Sequence, residues 1–189
     1  PREGFWFGPA STGFNVSLAV LDNGEGWGVY SSGNTIYGAL QGTVSGEGST
    51  LTGNGTDYNF PAESASAATL AGTVSQKTTI QAQTSTGVSM SLTYSAAYDQ
   101  PASSGQLAGD YAIAGRTFGG SFAVNQLTID STGGFSLVDD QCTVTGSATP
   151  RAGGKNIFNL SASFAGDCLV SGTVSGVAYL DTATMQLVA

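Results

Sequence analysis

Alternation with a period of two residues runs through nearly the whole chain, and it leaves little room for anything but antiparallel sheet. Phe14 to Val20 and Val88 to Tyr94 each put apolar side chains on one face and polar ones on the other. Helix signals are nearly absent. The Ala-rich window from Ala62 to Ala68 is short, follows Pro61 and has no apolar stripe at helical spacing. Glycine-containing turns punctuate the alternation. Asp22-Asn23-Gly24-Glu25 predicts a hairpin through a type I′ turn, because both central positions of that turn need positive φ. Gly46-Glu-Gly48, Gly87 and Ser131-Thr-Gly-Gly134 mark further turns.

Between these turns the expected strands are Ile36 to Ser45, Leu51 to Phe60, a long one over Leu70 to Thr84, and Leu107 to Ile113. Ser121 to Ile129, Phe135 to Gly146, Asn156 to Phe164, Cys168 to Leu180 and Thr184 to Val188 follow. The loop from Tyr98 to Gly105 is the midpoint. Leu40-Gln-Gly-Thr-Val-Ser45 returns as Leu70-Ala-Gly-Thr-Val-Ser75 and as Val170-Ser-Gly-Thr-Val-Ser175. Gly4-Phe-Trp-Phe-Gly8 ahead of a strand, turn and strand parallels Gly109-Asp-Tyr-Ala-Ile113 ahead of the same sequence of elements. A dozen or so such strands must avoid exposing two adhesive edges, and closure is the simplest way. The expected fold is all-β: an antiparallel up-and-down β-barrel of about eight main strands, roughly four in each of two pseudo-repeat halves. It is read as one domain, residues 1–189, with halves near 1–100 and 105–189. A two-sheet β-sandwich satisfies the same alternation.

Composition narrows the function. Only 10% of residues are charged, while 40% are hydrophobic, enough to bury a core. The net charge of −8 and five scattered basic residues cannot line a phosphate track, so nucleic acid is not an expected partner. No apolar run is long enough for a membrane-crossing helix, and the chain, starting at Pro1 without a leader, reads as a mature fragment. Two cysteines, Cys142 and Cys168, sit on neighbouring extended segments and are expected to form a disulfide. Closing a loop of about 27 residues stabilises by ~3.5 kcal/mol in the chain-entropy model and implies an oxidising compartment. Two buried free thiols are the alternative.

Cys142-Thr-Val-Thr-Gly146, Asn156-Ile-Phe-Asn-Leu160, Phe164-Ala-Gly-Asp-Cys168 and Gly176-Val-Ala-Tyr-Leu-Asp181 resemble, in order and spacing, a family of lipoproteins from Gram-negative bacteria. Leu70 to Ser75, Leu92 to Tyr98, Leu107-Ala-Gly-Asp-Tyr111 and the opening Gly4 to Gly8 are similar to that family's middle and start. The resemblance implies an exported β-rich domain at the periplasm or cell surface, tethered to the outer membrane by a lipidated N-terminal cysteine of the full-length precursor. It implies no catalytic residues.

Without histidine, Ser-His-Asp and Cys-His catalysis are impossible. Asp139 and Asp140, being adjacent on a strand, point to opposite faces. Asp22 to Glu25 has the oxygen ligands of a calcium-loop fragment but not its spacing, so a plain turn is expected, with no metal and no cofactor. Asn15, Asn54 and Asn159 head glycosylation triplets that a bacterial source would leave idle. Trp6, Trp27, Tyr30 and Tyr37 are the candidate ligand-binding residues, able to stack on a sugar or line a lumen if they gather at a barrel mouth. A core plug is the other reading of that aromatic group. The expected function is a non-enzymatic binding or scaffold module, its partner a protein or another cell-envelope component. The alternatives are a lipocalin-like carrier of an apolar ligand and, more weakly, a carboxylate-dependent glycan hydrolase.

Overall fold

The structure, a computed structural model, describes residues 2–139, 141–181 and 186–188. It divides into two compact units, Pro1–Ala96 and Ala97–Ala189, each with its own core.

In the first unit β1 (Gly4–Pro9), β2 (Asn15–Val20), β3 (Glu25–Ser32), β4 (Thr35–Ser45), β5 (Thr50–Asn59), β6 (Ser64–Ser75), β7 (Thr79–Thr84) and β8 (Ser89–Ser95) follow one another as antiparallel neighbours. β8 returns to β1 through Phe5↔Ser95, Trp6↔Tyr94 and Phe7↔Thr93, which closes an up-and-down barrel. Alternation sends Trp6, Val16, Leu18, Val20, Leu51, Ile80 and Leu92 inward, where they are buried. Full burial of each large aliphatic side chain stabilises by about 1.5–3 kcal/mol. The outward positions are mostly hydroxyls and amides that bond across strands, as Gln81 Nε2 donates to Ser91 Oγ at 2.6 Å. Such a surface needs few charges.

Barrel curvature depends on glycine at the inner face. Gly42 and Gly55 are register partners, and a Cβ on Gly42 would stand 2.6 Å from the Gly55 Cα. Elsewhere an aromatic ring covers a cross-strand glycine: Tyr30 lies over its register partner Gly38 in the first unit. Phe122 lies over Gly115, and Phe135 over Gly146, in the second.

The second unit contains β9 (Gly109–Thr117), β10 (Gly120–Ile129), β11 (Gly134–Asp139), β12 (Cys142–Pro150), β13 (Phe158–Gly166), β14 (Gly172–Asp181) and β15 (Gln186–Val188). They form one antiparallel sheet in sequence order, with β9 and β15 at its edges among the described residues. Leu107, Leu127, Ile129, Phe158 and Leu180 make its core. A bulge between Val124 and Leu127 puts both of these on the inner face. Buried Asn156 donates to the Ala97 and Leu180 carbonyls at 3.2 and 2.7 Å and so pins the start of the unit to β14.

The all-β barrel architecture is as expected; its distribution differs. Eight strands, anticipated for both halves together, lie in the first unit alone, and seven more follow. The long strand expected from Leu70 to Thr84 is two strands, β6 and β7, because Lys77 adopts φ 50° and Thr78 N–H bonds back to the Ser75 carbonyl at 3.0 Å. The Asn23-Gly24 turn is not type I′. Gly24 N–H bonds to Leu21 O at 3.0 Å and Leu21 N–H to Glu25 O at 2.8 Å, with positive φ at Gly24 alone: a type I turn followed by a left-handed glycine. Asp130 to Gly134 repeats this construction after the second strand of the second unit.

Candidate functional site

The four candidate aromatics do not form one site. Trp6 is fully buried in the first barrel, its ring 5.2 Å from Tyr94 and its Nε1 donating to the Arg2 carbonyl at 3.0 Å. Trp27, which alternation turns outward, donates from Nε1 to Glu25 Oε2 at 3.3 Å. Tyr30 and Tyr37 do meet, through a residue that sequence reasoning passed over. The Phe14 ring lies 5.6 Å from Tyr30 and 4.9 Å from Tyr37. A register shift between Tyr30 and Ser31 brings them together, since it leaves Tyr37 as the extra residue on β4. Alternation alone cannot reveal that shift. Half-buried Tyr30 donates from Oη to Asp57 Oδ1 at 2.9 Å, and its phenol pKa is raised, chiefly by burial and then by the Asp57 carboxylate.

Core side chains occupy the interior of the first barrel. A cavity of about 80 Å³ remains, walled by Leu18, Leu40, Val44, Leu70 and Met90 and by the backbone of Gly42, Gly53 and Gly55. A drug-sized ligand takes about 300 Å³ or more. A separate, more polar depression of about 230 Å³ lies at the barrel mouth beside Arg2, Glu3 and Asp22. There the Arg2 guanidinium is bound to the Thr50 and Gly48 carbonyls.

Several carboxylates are tied to local structure. Asp110 accepts from Thr128 Oγ1 at 2.6 Å, and this bond, with one from Gln126, holds its pKa below the ordinary value. Asp130 accepts from Thr132 Oγ1 and from the Thr132 and Gly134 N–H groups, which lower its pKa likewise. Asp99 pairs with Lys155 at 2.7 Å. Near the end of β14, burial and then the Asp181 charge push the Tyr179 phenol up to about 12. At the Asp22 to Glu25 turn, Asn23 Nδ2 donates to Glu25 Oε1 at 2.9 Å, so these oxygens serve the hairpin. The Asp139–Asp140 pair lies outside the described residues at Asp140. Among the described residues no three carboxylates or cysteines are grouped closely enough to hold a metal ion.

One end of the second sheet combines the covalent tie with exposed apolar side chains on both of its faces. Cys142 and Cys168 are disulfide-bonded with Cα atoms 4.8 Å apart, joining the first residue of β12 to the connection after β13. In an up-and-down sheet alternate connections share an end, so the β9–β10, β11–β12 and β13–β14 connections lie together. Phe118 lies in the first and Phe122 two residues into β10, each 38% exposed; Val138, next to last in β11, and Leu169, in the third, are each 69% exposed. Val174, two residues into β14, is 41% exposed. Sequence reading passed over this group because its members are scattered over more than 50 residues and gather only through strand order.

Comparison with protein-family models, with curated protein sequences and with solved structures finds no match.

Proposed function

We propose that this chain is an exported, non-enzymatic binding module of a Gram-negative lipoprotein, as its sequence resemblance implies, and that it engages a protein of the cell envelope through the apolar end of its second unit. The observation that carries this reading is the exposure of Phe118, Phe122, Leu169 and Val174 towards the end that the disulfide ties, Phe122 and Val174 on the inner face, with Val138 exposed on the opposite face. Grouped apolar exposure of this kind is characteristic of interaction surfaces. The disulfide supports a periplasmic or cell-surface setting, because such bonds persist outside the reducing cytosol. A carrier role is disfavoured by the lumen: about 80 Å³ is well short of the volume an apolar ligand needs.

Native mass spectrometry of protein purified without detergent tests the choice between module and carrier. The bare chain mass is expected. A retained apolar molecule would transfer the assignment to a carrier.

A further inference from the structure

The cavity of about 80 Å³ inside the first barrel has a wall of backbone. Gly26 pairs with Gly42, Gly42 with Gly55 and Gly55 with Ala68, so β3 to β6 pass the cavity with no side chain larger than a methyl group. Strands stand ~4.8 Å apart, which makes this bare surface ~10 Å wide across the three glycines. Leu40 and Val44 flank it on β4 and Leu70 on β6, while Val16 and Leu18 from β2 and Met90 from β8 complete the lining. The last three are buried. Leu40, Val44 and Leu70 are only half-buried although they face inward, so on their side the cavity is open to solvent.

Elsewhere the chain covers backbone of this kind with its own rings. Tyr94 lies over Gly4 and Tyr30 over Gly38 in this unit, and Phe122 over Gly115 and Phe135 over Gly146 in the other. A Cβ on Gly42 or Gly55 would instead meet backbone of the facing strand, and one on Gly26 a Val44 methyl. No aromatic residue lines the cavity. We propose that this cavity binds a small aromatic compound through one flat, apolar ring, laid against the Gly42 and Gly55 backbone as the chain's own rings are laid against their glycines.

Volume and chemistry set the class of ligand. An apolar cavity of about 150 Å³ binds benzene. One of about 80 Å³ with an open side seats a single ring whose rim stays at the opening, and it cannot enclose the larger molecule that a carrier holds. Polar groups on the ligand find no partner inside. Alternation turns Gln41, Thr43 and Asn54 outward, and the inward hydroxyl of Thr84 is already engaged by Thr86 Oγ1 at 2.8 Å and the Val88 N–H at 3.1 Å. Met90 adds a preference for an aromatic ring, since its thioether makes favourable contacts with ring edges and its side chain adapts to irregular space. This site goes beyond the reading of the chain as a protein-binding module and stands or falls without it.

The test titrates benzene into the full 189-residue chain carrying labelled methionine and leucine methyl groups, read by NMR. The Met90, Leu18 and Leu70 methyls should shift and saturate together, while Met185 and Leu169 in the second unit stay in place. Cyclohexane, equally apolar but thicker, should act more weakly. N-acetyl-phenylalaninamide carries the same ring on a peptide backbone and should leave Met90 unmoved, because the cavity has no room for the backbone. Ala68→Leu and Leu40→Phe fill the space from different strands, and each should abolish the Met90 response to benzene; the second decides the matter should the first fail to fold. The proposal is overturned by an unmoved Met90, by shifts confined to the second unit, by equal responses to cyclohexane, or by a response that survives either filling variant. A response to N-acetyl-phenylalaninamide as strong as that to benzene would also overturn it, assigning the ring to a side chain of a partner protein instead.

Discussion

The first unit returns its last strand to its first, whereas among the described residues the second leaves β9 and β15 as edges. Both alternate apolar and hydroxyl residues, both bend at glycines, and both cover inner-face glycines with rings. What separates them is burial along the seam. Trp6, on the strand that β8 meets, is fully buried, while Phe122, beside the open edge strand β9, is 38% exposed. Alternation thus decides which side chains face inward, and closure decides whether inward means buried.

The largest expected effect breaks the comparison at that seam. Trp6→Ala should cost the first unit about 3–5 kcal/mol, the range for removing a large buried aromatic. Phe122→Ala should cost less than about 1 kcal/mol, because much of its ring is already in water. Both tryptophans lie in the first unit, so urea unfolding of the Trp6→Ala variant can be followed by Trp27 fluorescence. Hydrogen exchange of the β9–β10 segment reports on Phe122→Ala. Equal losses would mean that the second sheet is sealed as tightly as the first.

Next in size is the disulfide, present in the second unit only. The double variant Cys142→Ser, Cys168→Ser reopens a loop spanning 26 residues and should remove about 3.5 kcal/mol. Melting of the second unit should fall by roughly 5 °C or more. Exchange in β1 to β8 should be unaffected. A matching loss there would contradict two separate cores.

Much of this contrast was legible in the sequence. The turns at Gly24, Gly87 and Gly133, the inward direction of Trp6 and the pairing of Cys142 with Cys168 all follow from residue type and a period of two. Closure did not, since alternation specifies a face and never a neighbour. The strands of β1 to β8 and β9 to β15 therefore read alike. The β6–β7 turn was missed because Gln76-Lys77-Thr78 carries no glycine, and Lys77 supplies the left-handed residue instead. Tyr30 and Tyr37 were nominated together, but the Phe14 ring that joins them enters through a register shift without a sequence signature. Trp6 and Trp27 are close to them in sequence, yet Trp6 lies on β1, two strands from β3, and Trp27 faces outward from the strand whose inner face carries Tyr30.

Glycine sharpens the comparison further. Gly55→Ala in the first barrel would push a methyl into the facing Gln41–Gly42 backbone and should destabilise by about 1–3 kcal/mol. Gly176 lies on β14 beside the more open sheet, and a Cβ there meets nothing within 4 Å. Gly176→Ala should be neutral or stabilise by up to about 0.5 kcal/mol, since it restricts the unfolded chain without a clash. Chemical denaturation of the two variants, followed strand by strand through hydrogen exchange, should give opposite signs. A shared sign would show that the inner face of the second sheet is as crowded as that of the barrel.

The smallest expected effect separates the two matching turns. Asp130 opens the turn of the second unit and accepts hydrogen bonds from Thr132 and Gly134, while Leu21 holds the same place in the first unit and has no carboxylate. These bonds favour the charged form, so the folded pKa of Asp130 lies below its unfolded value. The contribution is therefore fully present above the unfolded pKa, about 3.9, and is lost as pH falls through the lower folded value. Exchange of the Thr132 and Gly134 amides, corrected for intrinsic pH dependence, should accelerate on acidification from pH 5 to pH 2. Gly24, whose N–H is held by the Leu21 carbonyl and not by a carboxylate, should change less. Asp130→Asn should flatten the acid response of the second turn and leave the first as it was. Equal responses at both turns would assign the acid sensitivity to the whole chain rather than to this carboxylate.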